Sequence, residues 1–376
     1  MLGRQPELSL AELEARFGAQ SVVQINPETA LVHHESIDID RLGGSQKTAQ
    51  LLTSFKLGGI ESLPELLLKY LPPAQHKINF GLSVHGLSMS GREAGHIALN
   101  IKKAAKRSGL KLRVIPNSNA TLSTAQVLHN QLARGENVEL ILSLAKDGTA
   151  YVGRTIGVQD IDAYRQRDVE RPARDAKVGM LPPKLAQIML NLAQVQPGQT
   201  VLDPFCGTGV ILQEAVLMGA RAYGSDLHER MVKMSEQNLQ WLAAKLRLLK
   251  ADYHLEAADA RIRKWLPPID AVVSEMYLGP ALFRSPNPYE LKTISAEIDN
   301  LLKDTLNNLR PQLASGARVV LAVPAWRLAK LASLPVVDQI ESLGYNPVSL
   351  KHAPSQLVYA REDQIVARQL LVLTKS

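Results

Sequence analysis

The sequence predicts an α/β protein in two parts: a carboxy-terminal domain built on a parallel sheet with an antiparallel last strand and helices on both faces, preceded by a smaller α+β region. Three observations predict it. Residues 201–212 read as a buried strand, a glycine turn and a helix start in unbroken succession. From residue 180 onward, apolar strands and amphipathic helices alternate, as they do when helices cover both faces of a parallel sheet. The last two strands, 357–361 and 368–375, are joined by a connection too short for a parallel crossover, so the last one is expected to pair antiparallel.

In the amino-terminal part, residues 7–17 carry helix periodicity, 21–32 alternate as a hairpin, and 46–57 begin with helix periodicity that Gly58-Gly59 stops. After Pro72-Pro73, the residues Ile78, Phe80, Leu82 and Val84 alternate with polar or small ones, which predicts a strand covered on one face. Ser90 and Glu93 form a capping box that starts a helix ending near Gly109. A strand at 111–115, a helix at 123–132 and strands at 138–144 and 151–158 follow. Residues 164–175 are charged and aperiodic, which predicts a linker running over the surface. Pro182-Pro183 then opens a helix through Leu192, proline suiting a first helical turn. Beyond it, strands at 200–203, 222–226, 270–275 and 318–324 alternate with helices at 210–218, 228–244 and 290–309.

At 376 residues the chain can bury two separate cores. It has no run of about 18 apolar residues and no apolar leader, so a cytoplasmic protein with no membrane segment is expected. The single cysteine, Cys206, can form neither an internal disulfide nor a multi-thiolate metal site, and His85, His96 and His129 lack metal-ligand spacing. No metal is expected. Net charge is +7, unevenly spread: Lys102, Lys103, Lys106, Arg107, Lys111 and Arg113 occur with no acid between them, whereas the first fifty residues are net acidic. Lys102 with Lys106, and Lys103 with Arg107, are four apart and share one side of a helix. Such a one-signed run suits a polyanion, its rival reading being a solvated face.

The turn carries the chemistry. Dinucleotide binders use G-x-G-x-x-G, whose third glycine lets helix and strand pack closely, but that position here is Leu212, which disfavours a nicotinamide enzyme. The form Asp203-Pro204-Phe205-Cys206-Gly207-Thr208-Gly209 resembles instead the S-adenosylmethionine loop of methyltransferases acting on exocyclic amino groups of nucleic acid bases. In an open α/β sheet ligands bind beyond the carboxyl ends of the strands. Asp203 ends the first strand and Asp226 the second, where a carboxylate can bond both ribose hydroxyls; Asp259 is placed to accept from an adenine amino group. Each acid alone also reads as a helix cap or a surface residue.

Glu275 ends a further strand, followed by Met276-Tyr277-Leu278-Gly279. This segment stands where amino-methyltransferases carry D-P-P-Y or N-P-P-Y. An aromatic amine is a weak nucleophile because its lone pair is delocalised, so acceptors that hold its hydrogens favour a pyramidal nitrogen aimed at the methyl donor. Here Glu275 reaches one methylene further than Asp, Met276 replaces the first proline but keeps its carbonyl, and Tyr277 or Leu278 supplies the flat contact with an extruded base.

Motifs outside the turn extend the likeness over nearly the whole chain. Residues 41–47 (Arg-Leu-Gly-Gly-Ser-Gln-Lys), the strand 80–86, residues 122–127, residues 158–161 and the stretch from Arg167-Asp168 through Gly179-Met180-Leu181-Pro182-Pro183-Lys184 resemble the THUMP-containing tRNA guanosine N2-methyltransferases. The resemblance implies a ferredoxin-like domain at 1–72, a THUMP RNA-binding domain at 73–163, a linker at 164–179 and a Rossmann-like class I methyltransferase domain at 180–376. It implies S-adenosylmethionine as cofactor, held by Asp203, Phe205, Gly207, Gly209, Asp226 and Asp259 with Pro204, Cys206, Leu227, Ala260 and Glu275 beside them. Glu275, Met276 and Tyr277 would act on the base, and tRNA would be gripped by Lys102, Lys103, Lys106 and Arg107, with Arg165 and Arg167 in the linker. For the linker arginines, ion pairs to Asp168, Glu170 and Asp175 are an equal reading. A DNA or rRNA amino-methyltransferase and a non-catalytic tRNA-binding protein remain alternatives, as do action with an activating subunit and action as a monomer.

Overall fold

The computed structural model describes residues 1–175, 180–248, 251–361 and 364–376. The last four positions of the expected linker, 176–179, lie outside the described residues. The chain divides into two compact units: Met1–Leu10, Gln20–Asp40 and Gly44–Ile161 form one, and Ala11–Ala19, Arg41–Gly43 and Asp162–Ser376 the other.

After helix α1 (Pro6–Phe17), the first unit opens with a hairpin, β1 (Val22–Asn26) and β2 (Thr29–Val32). It continues through β3 (Lys47–Lys56), α2 (Leu63–Leu68), β4 (Ile78–His85), α3 (Gly91–Arg107), β5 (Leu112–Val114), α4 (Thr124–His129), β6 (Val138–Leu144) and β7 (Thr149–Val158). Five strands form one sheet in the order β3-β7-β6-β4-β5. Residues 46–57, expected to begin as helix, are strand β3. Two register shifts against β7 break the alternation by which a strand is recognised, and pairing along the sheet overrides the local pattern. Strand β4, expected to be covered on one face, is buried on both. Leu63, Leu67, Ile97 and Ile101 of α2 and α3 pack with its Phe80, Leu82 and Val84, while Leu122 and Leu132 come close to Gly81. The capping box of Ser90 and Glu93 starts α3, which buries Ala94, Ile97, Ala98, Ile101 and Ala105 and turns Lys102, Lys103, Lys106 and Arg107 outward.

The second unit takes up the chain again within a short helix, α5 (Ile161–Arg165), which is followed by a wider turn at Gln166–Glu170. This stretch does not run over the surface as expected, because Tyr164, Arg171, Ala173 and Asp175 are buried. There follow α6 (Pro183–Leu192), β8 (Thr200–Asp203), α7 (Val210–Leu217), β9 (Arg221–Asp226), α8 (Glu229–Leu246), β10 (Tyr253–Ala257), β11 (Ala271–Glu275), α9 (Pro288–Leu309), β12 (Arg318–Arg327), β13 (Leu331–Ala332), β14 (Tyr345–Pro347), β15 (Leu357–Tyr359) and β16 (Val366–Lys375). The main sheet runs β10-β9-β8-β11-β12-β16-β14, parallel from β10 to β12, with β16 antiparallel to β12 as expected. Helix α9 fills one face with Ile298, Leu302, Leu306 and Leu309, against Val319, Leu321 and Val323 of β12. Helix α6 is buried along nearly its whole length, and its Asn191 Nδ2 donates to Glu12 Oε1 at 2.7 Å and to the Arg41 carbonyl at 2.8 Å. Those two bonds explain why residues 11–19 and 41–43 belong to this unit. The connection after β8 runs to β9 and that after β11 runs to β12, in opposite directions, so β8 and β11 flank the switch point and a crevice opens beyond their carboxyl ends.

Behind that crevice, Arg167 donates through Nε to Glu214 of α7 at 2.6 Å and lies over the Tyr164 ring at 4.5 Å. The Arg167 side chain is 12% exposed and that of Glu214 1%. Replacing Glu214 by Leu strands the cation, and the expected loss in urea unfolding is about 3 kcal/mol, the low end for an orphaned buried charge because Arg167 retains some water. A loss below about 1 kcal/mol would show that the pair does not anchor α5 to α7.

Candidate active site

Each strand that borders the crevice ends in a carboxylate, and each carboxylate has a different environment. Asp203, at the end of β8, is 2% exposed. Its Oδ1 accepts from Ser274 Oγ at 2.6 Å and from the Phe205 N–H at 3.2 Å. Burial pushes its carboxyl up to about 7, against the pull of those two hydrogen bonds, and the charges of Asp226 and Glu275 push the same way. Pro204 is buried beside it, and Phe205 packs on the α9 side of the core.

The turn that follows needs its glycines. Gly207 and Gly209 have φ of +51° and +79°, left-handed values that strain other residues, and a Cβ on Gly209 would lie 3.1 Å from that of Ser235. Two side-chain hydrogen bonds to its carbonyls hold the loop from behind, and one of the donors is itself tied to a further segment. Ser235 Oγ donates to the Gly207 carbonyl at 2.8 Å, Asn238 Nδ2 donates to the Thr208 carbonyl at 2.8 Å, and Asn238 also exchanges two bonds of 2.9 Å with the backbone of Ala173. Cys206 is buried in the turn, where desolvation raises its thiol well above the ordinary range, so it packs as a small apolar residue.

Asp226, at the end of β9, ties this turn to the next strand. Its Oδ2 accepts the Gly207 N–H at 3.0 Å and its Oδ1 accepts the His228 N–H at 2.9 Å, so both oxygens are oriented and each keeps a free lone pair. Leu227 is exposed beside it. A Cβ added at Gly207 would find only the Phe205 carbonyl, at 4.0 Å, so the turn has open space on that side. An oriented carboxylate next to a glycine turn with room before it suits a nucleoside. Asp259, after β10, is bound by Arg261 through both oxygens, at 2.6 to 3.1 Å, and this partner holds its carboxyl below the usual range. Ala260 is buried, its carbonyl accepting from Asn308 at 2.9 Å.

Glu275 closes β11. Arg368 of β16 donates through Nε to its Oε1, and the two side chains are 4% and 16% exposed respectively. Burial pushes the Glu275 carboxyl up while Arg368 pulls it down. The Met276 N–H continues the ladder to Ala322 at 3.0 Å, and its side chain enters the core, so only its backbone carbonyl can serve the crevice. Tyr277 is 47% exposed and free to present its ring.

The basic residues divide. Lys102, Lys103 and Lys106 are exposed on α3 with no ion pair among the described residues, and Arg107 lies 3.9 Å from Glu65. Arg165 pairs with Glu170 at 3.0 Å, as the rival reading had it. For Arg167, RNA contact and an ion pair were equal readings; the structure gives it a nearly buried pair, with Glu214 of α7 rather than with an acid of the linker. Sequence reasoning missed Ser235, Asn238, Ser274 and Arg368. A signal existed for two of them: Asn238 falls on the apolar face of α8 beside Leu239 and Leu242, and Arg368 interrupts an apolar strand.

This geometry has counterparts. Residues 171–339 match a family described as RMKL-like, methyltransferase domain. The chain is 34% identical over 148 residues to the tRNA (guanine(10)-N2)-dimethyltransferase of Methanothermobacter thermautotrophicus, covering 39% of this chain and 40% of that one. It is 27% identical over 234 residues to the enzyme of the same name from Pyrococcus abyssi, covering 59% and 60%. The matched stretches thus span less than two thirds of these relatives' length. Over the fold as a whole, the crystal structure of TrmN from Thermus thermophilus superposes with a TM-score of 0.52 at 17% identity, covering 92% of this chain and 89% of that one. The second unit has the class I methyltransferase fold.

Asp203 yields a test of sign. Its carboxyl titrates near its ordinary 3.8 when unfolded and near 7 when folded, so within that window the folded state binds the extra proton. Stability therefore falls as pH rises through the window, by at most about 1.4 kcal/mol per pH unit from this group. Urea unfolding of the wild type minus that of Asp203→Asn should show this downward slope. A flat difference would mean that the carboxyl is not desolvated.

Proposed function

We propose that the chain transfers a methyl group from S-adenosylmethionine to the exocyclic N2 of a guanosine in tRNA. The observation that carries this reading is the convergence of the glycine turn after β8, the oriented Asp226 after β9 and the acid Glu275 after β11 at adjacent strand ends. The names of the two archaeal relatives support the base and the atom, and that of the matched domain supports methyl transfer. Asp226 would hold the ribose and the turn would approach the rest of the nucleoside, with Asp259 reaching the adenine once released by Arg261. When bound, S-adenosylmethionine supplies an electrophilic sulfonium methyl. The chain's own residues then act on the amine. Glu275 and the Met276 carbonyl hold its hydrogens, which favours a pyramidal nitrogen, and Glu275 stabilises the positive charge that nitrogen gains and shares the proton it loses. Tyr277 offers its exposed ring to the extruded base. The basic face of α3 in the first, THUMP-like unit would grip the tRNA backbone.

Glu275→Gln should keep S-adenosylmethionine affinity by calorimetry, yet slow single-turnover methyl transfer to tRNA by about two to three orders of magnitude. Wild-type speed in this variant would remove Glu275 from the chemistry. Asp226→Ala should weaken S-adenosylmethionine binding by roughly 1 to 3 kcal/mol, the size of a lost charge-assisted pair. Reversing Lys102, Lys103, Lys106 and Arg107 to Glu should flatten the salt dependence of tRNA binding, since the counterion-release slope scales with phosphate contacts. An unchanged slope would place the RNA elsewhere.

A further inference from the structure

We infer that Arg368 is the positioning residue for Glu275, fixing one carboxylate oxygen from the antiparallel strand β16 so that the other is presented to the substrate amine. The inference rests on the proposed function only in what Glu275 acts upon. The register of three strands produces the contact. Glu275 of β11 lies opposite Ala322 of β12, Ala322 lies opposite Leu370 of β16, and Arg368, two residues from Leu370, shares its face of the sheet. The guanidinium therefore crosses β12 diagonally, above Ala322, where a longer side chain would stand in its way. Both partners are nearly dry, so the bond is a desolvated, charge-assisted one that holds direction as well as charge.

The neighbouring atoms leave Arg368 this task. Met276, unlike a proline, donates its N–H to Ala322, so the backbone of β11 is pinned one residue beyond Glu275 while the longer Glu side chain keeps its own rotational freedom. Only a side-chain partner can remove that freedom. Arg368 is itself oriented by the Tyr359 ring of β15, 5.9 Å from its guanidinium carbon. Among the described residues, the titratable groups that act on Glu275 or feel its charge are Arg368 from β16 and Asp203 from β8, the latter held toward protonation by its own burial. Burial pushes the Glu275 carboxyl up, and Arg368 opposes that push by favouring the ionised form that an acceptor for the amine needs.

The test uses the full chain labelled with [δ-13C]glutamate, the Glu275 carboxyl signal being identified by its loss in Glu275→Gln. In Arg368→Gln the Glu275 titration midpoint should move to higher pH, and in Arg368→Lys, which keeps the charge without the planar fork, it should move less. Single-turnover methyl transfer should follow, its acid limb moving the same way, with about a tenfold loss at fixed pH for each unit of movement and recovery at high pH. If Arg368→Gln does not fold, the Lys variant decides alone by the same shift. An unmoved midpoint in both variants, or a loss of rate equal at every pH, overturns the inference. Should the wild type transfer no methyl to tRNA while the Glu275 midpoint still moves, the proposed function fails and the role of Arg368 in holding Glu275 stands.

Discussion

Burying a carboxylate at the end of β8 is the constraint around which the second unit is arranged. A desolvated acid costs several kcal/mol unless it is neutralised or hydrogen-bonded. Asp203 is served by Ser274 from the neighbouring strand and by its own turn, and burial still holds its carboxyl near neutrality. The bond ties the ends of β8 and β11 together, since in their register Ser274 falls one residue beyond the position opposite Asp203 and its hydroxyl reaches back to the carboxylate. The buried carboxylate also sets the direction of the chain past Phe205, whose N–H turns back to the same oxygen. The glycine turn is thus launched from a point that the sheet itself locates.

The turn is then held by side chains rather than by its own sequence. Ser235 and Asn238 of α8 take up the carbonyls of Gly207 and Thr208, and Asn238 simultaneously binds both backbone groups of Ala173. A backbone that must leave room for a ligand cannot satisfy its own carbonyls through a helix or a ladder, so neighbouring elements supply donors. One buried asparagine serves two segments, and neither could shift without leaving buried polar groups unpaired.

What the sequence made legible follows from which forces act locally. The alternation of strand and helix beyond residue 180, the capping box of Ser90 and Glu93 and the acids at or just past strand ends are local patterns, and the structure places them where periodicity puts them. Strand β3 and the stretch 164–175 were misread because pairing partners and burial distant in sequence decide them: two bulges erase the alternation of β3, and Arg167 is drawn inward by a glutamate 47 residues away. Ser235 and Ser274 were invisible for a related reason, and Asn238 showed only as a polar residue on an apolar helix face. Ser235, Ser274 and Asn238 are common polar residues whose importance lies in what they face, and only burial on an apolar stripe distinguishes them.

The three strand-end acids are graded by environment rather than by residue type, and this grading divides their labour. Asp226, oriented by two backbone N–H groups and open on its other lone pairs, is shaped to bind. Asp203, nearly enclosed and held toward protonation, carries charge only at a cost and braces the strand end through Ser274 and the Phe205 N–H. Glu275 is intermediate: partly open, pushed up by burial and pulled down by a single arginine. An acceptor for a weakly nucleophilic amine must be charged yet poorly hydrated, since water would screen the very charge that favours the reaction. Burial alone would protonate Glu275 and exposure alone would screen it. A dry ion pair that leaves one oxygen uncommitted satisfies both demands, and it comes from β16, which runs antiparallel to β12 and so begins beside the crevice where the parallel strands end.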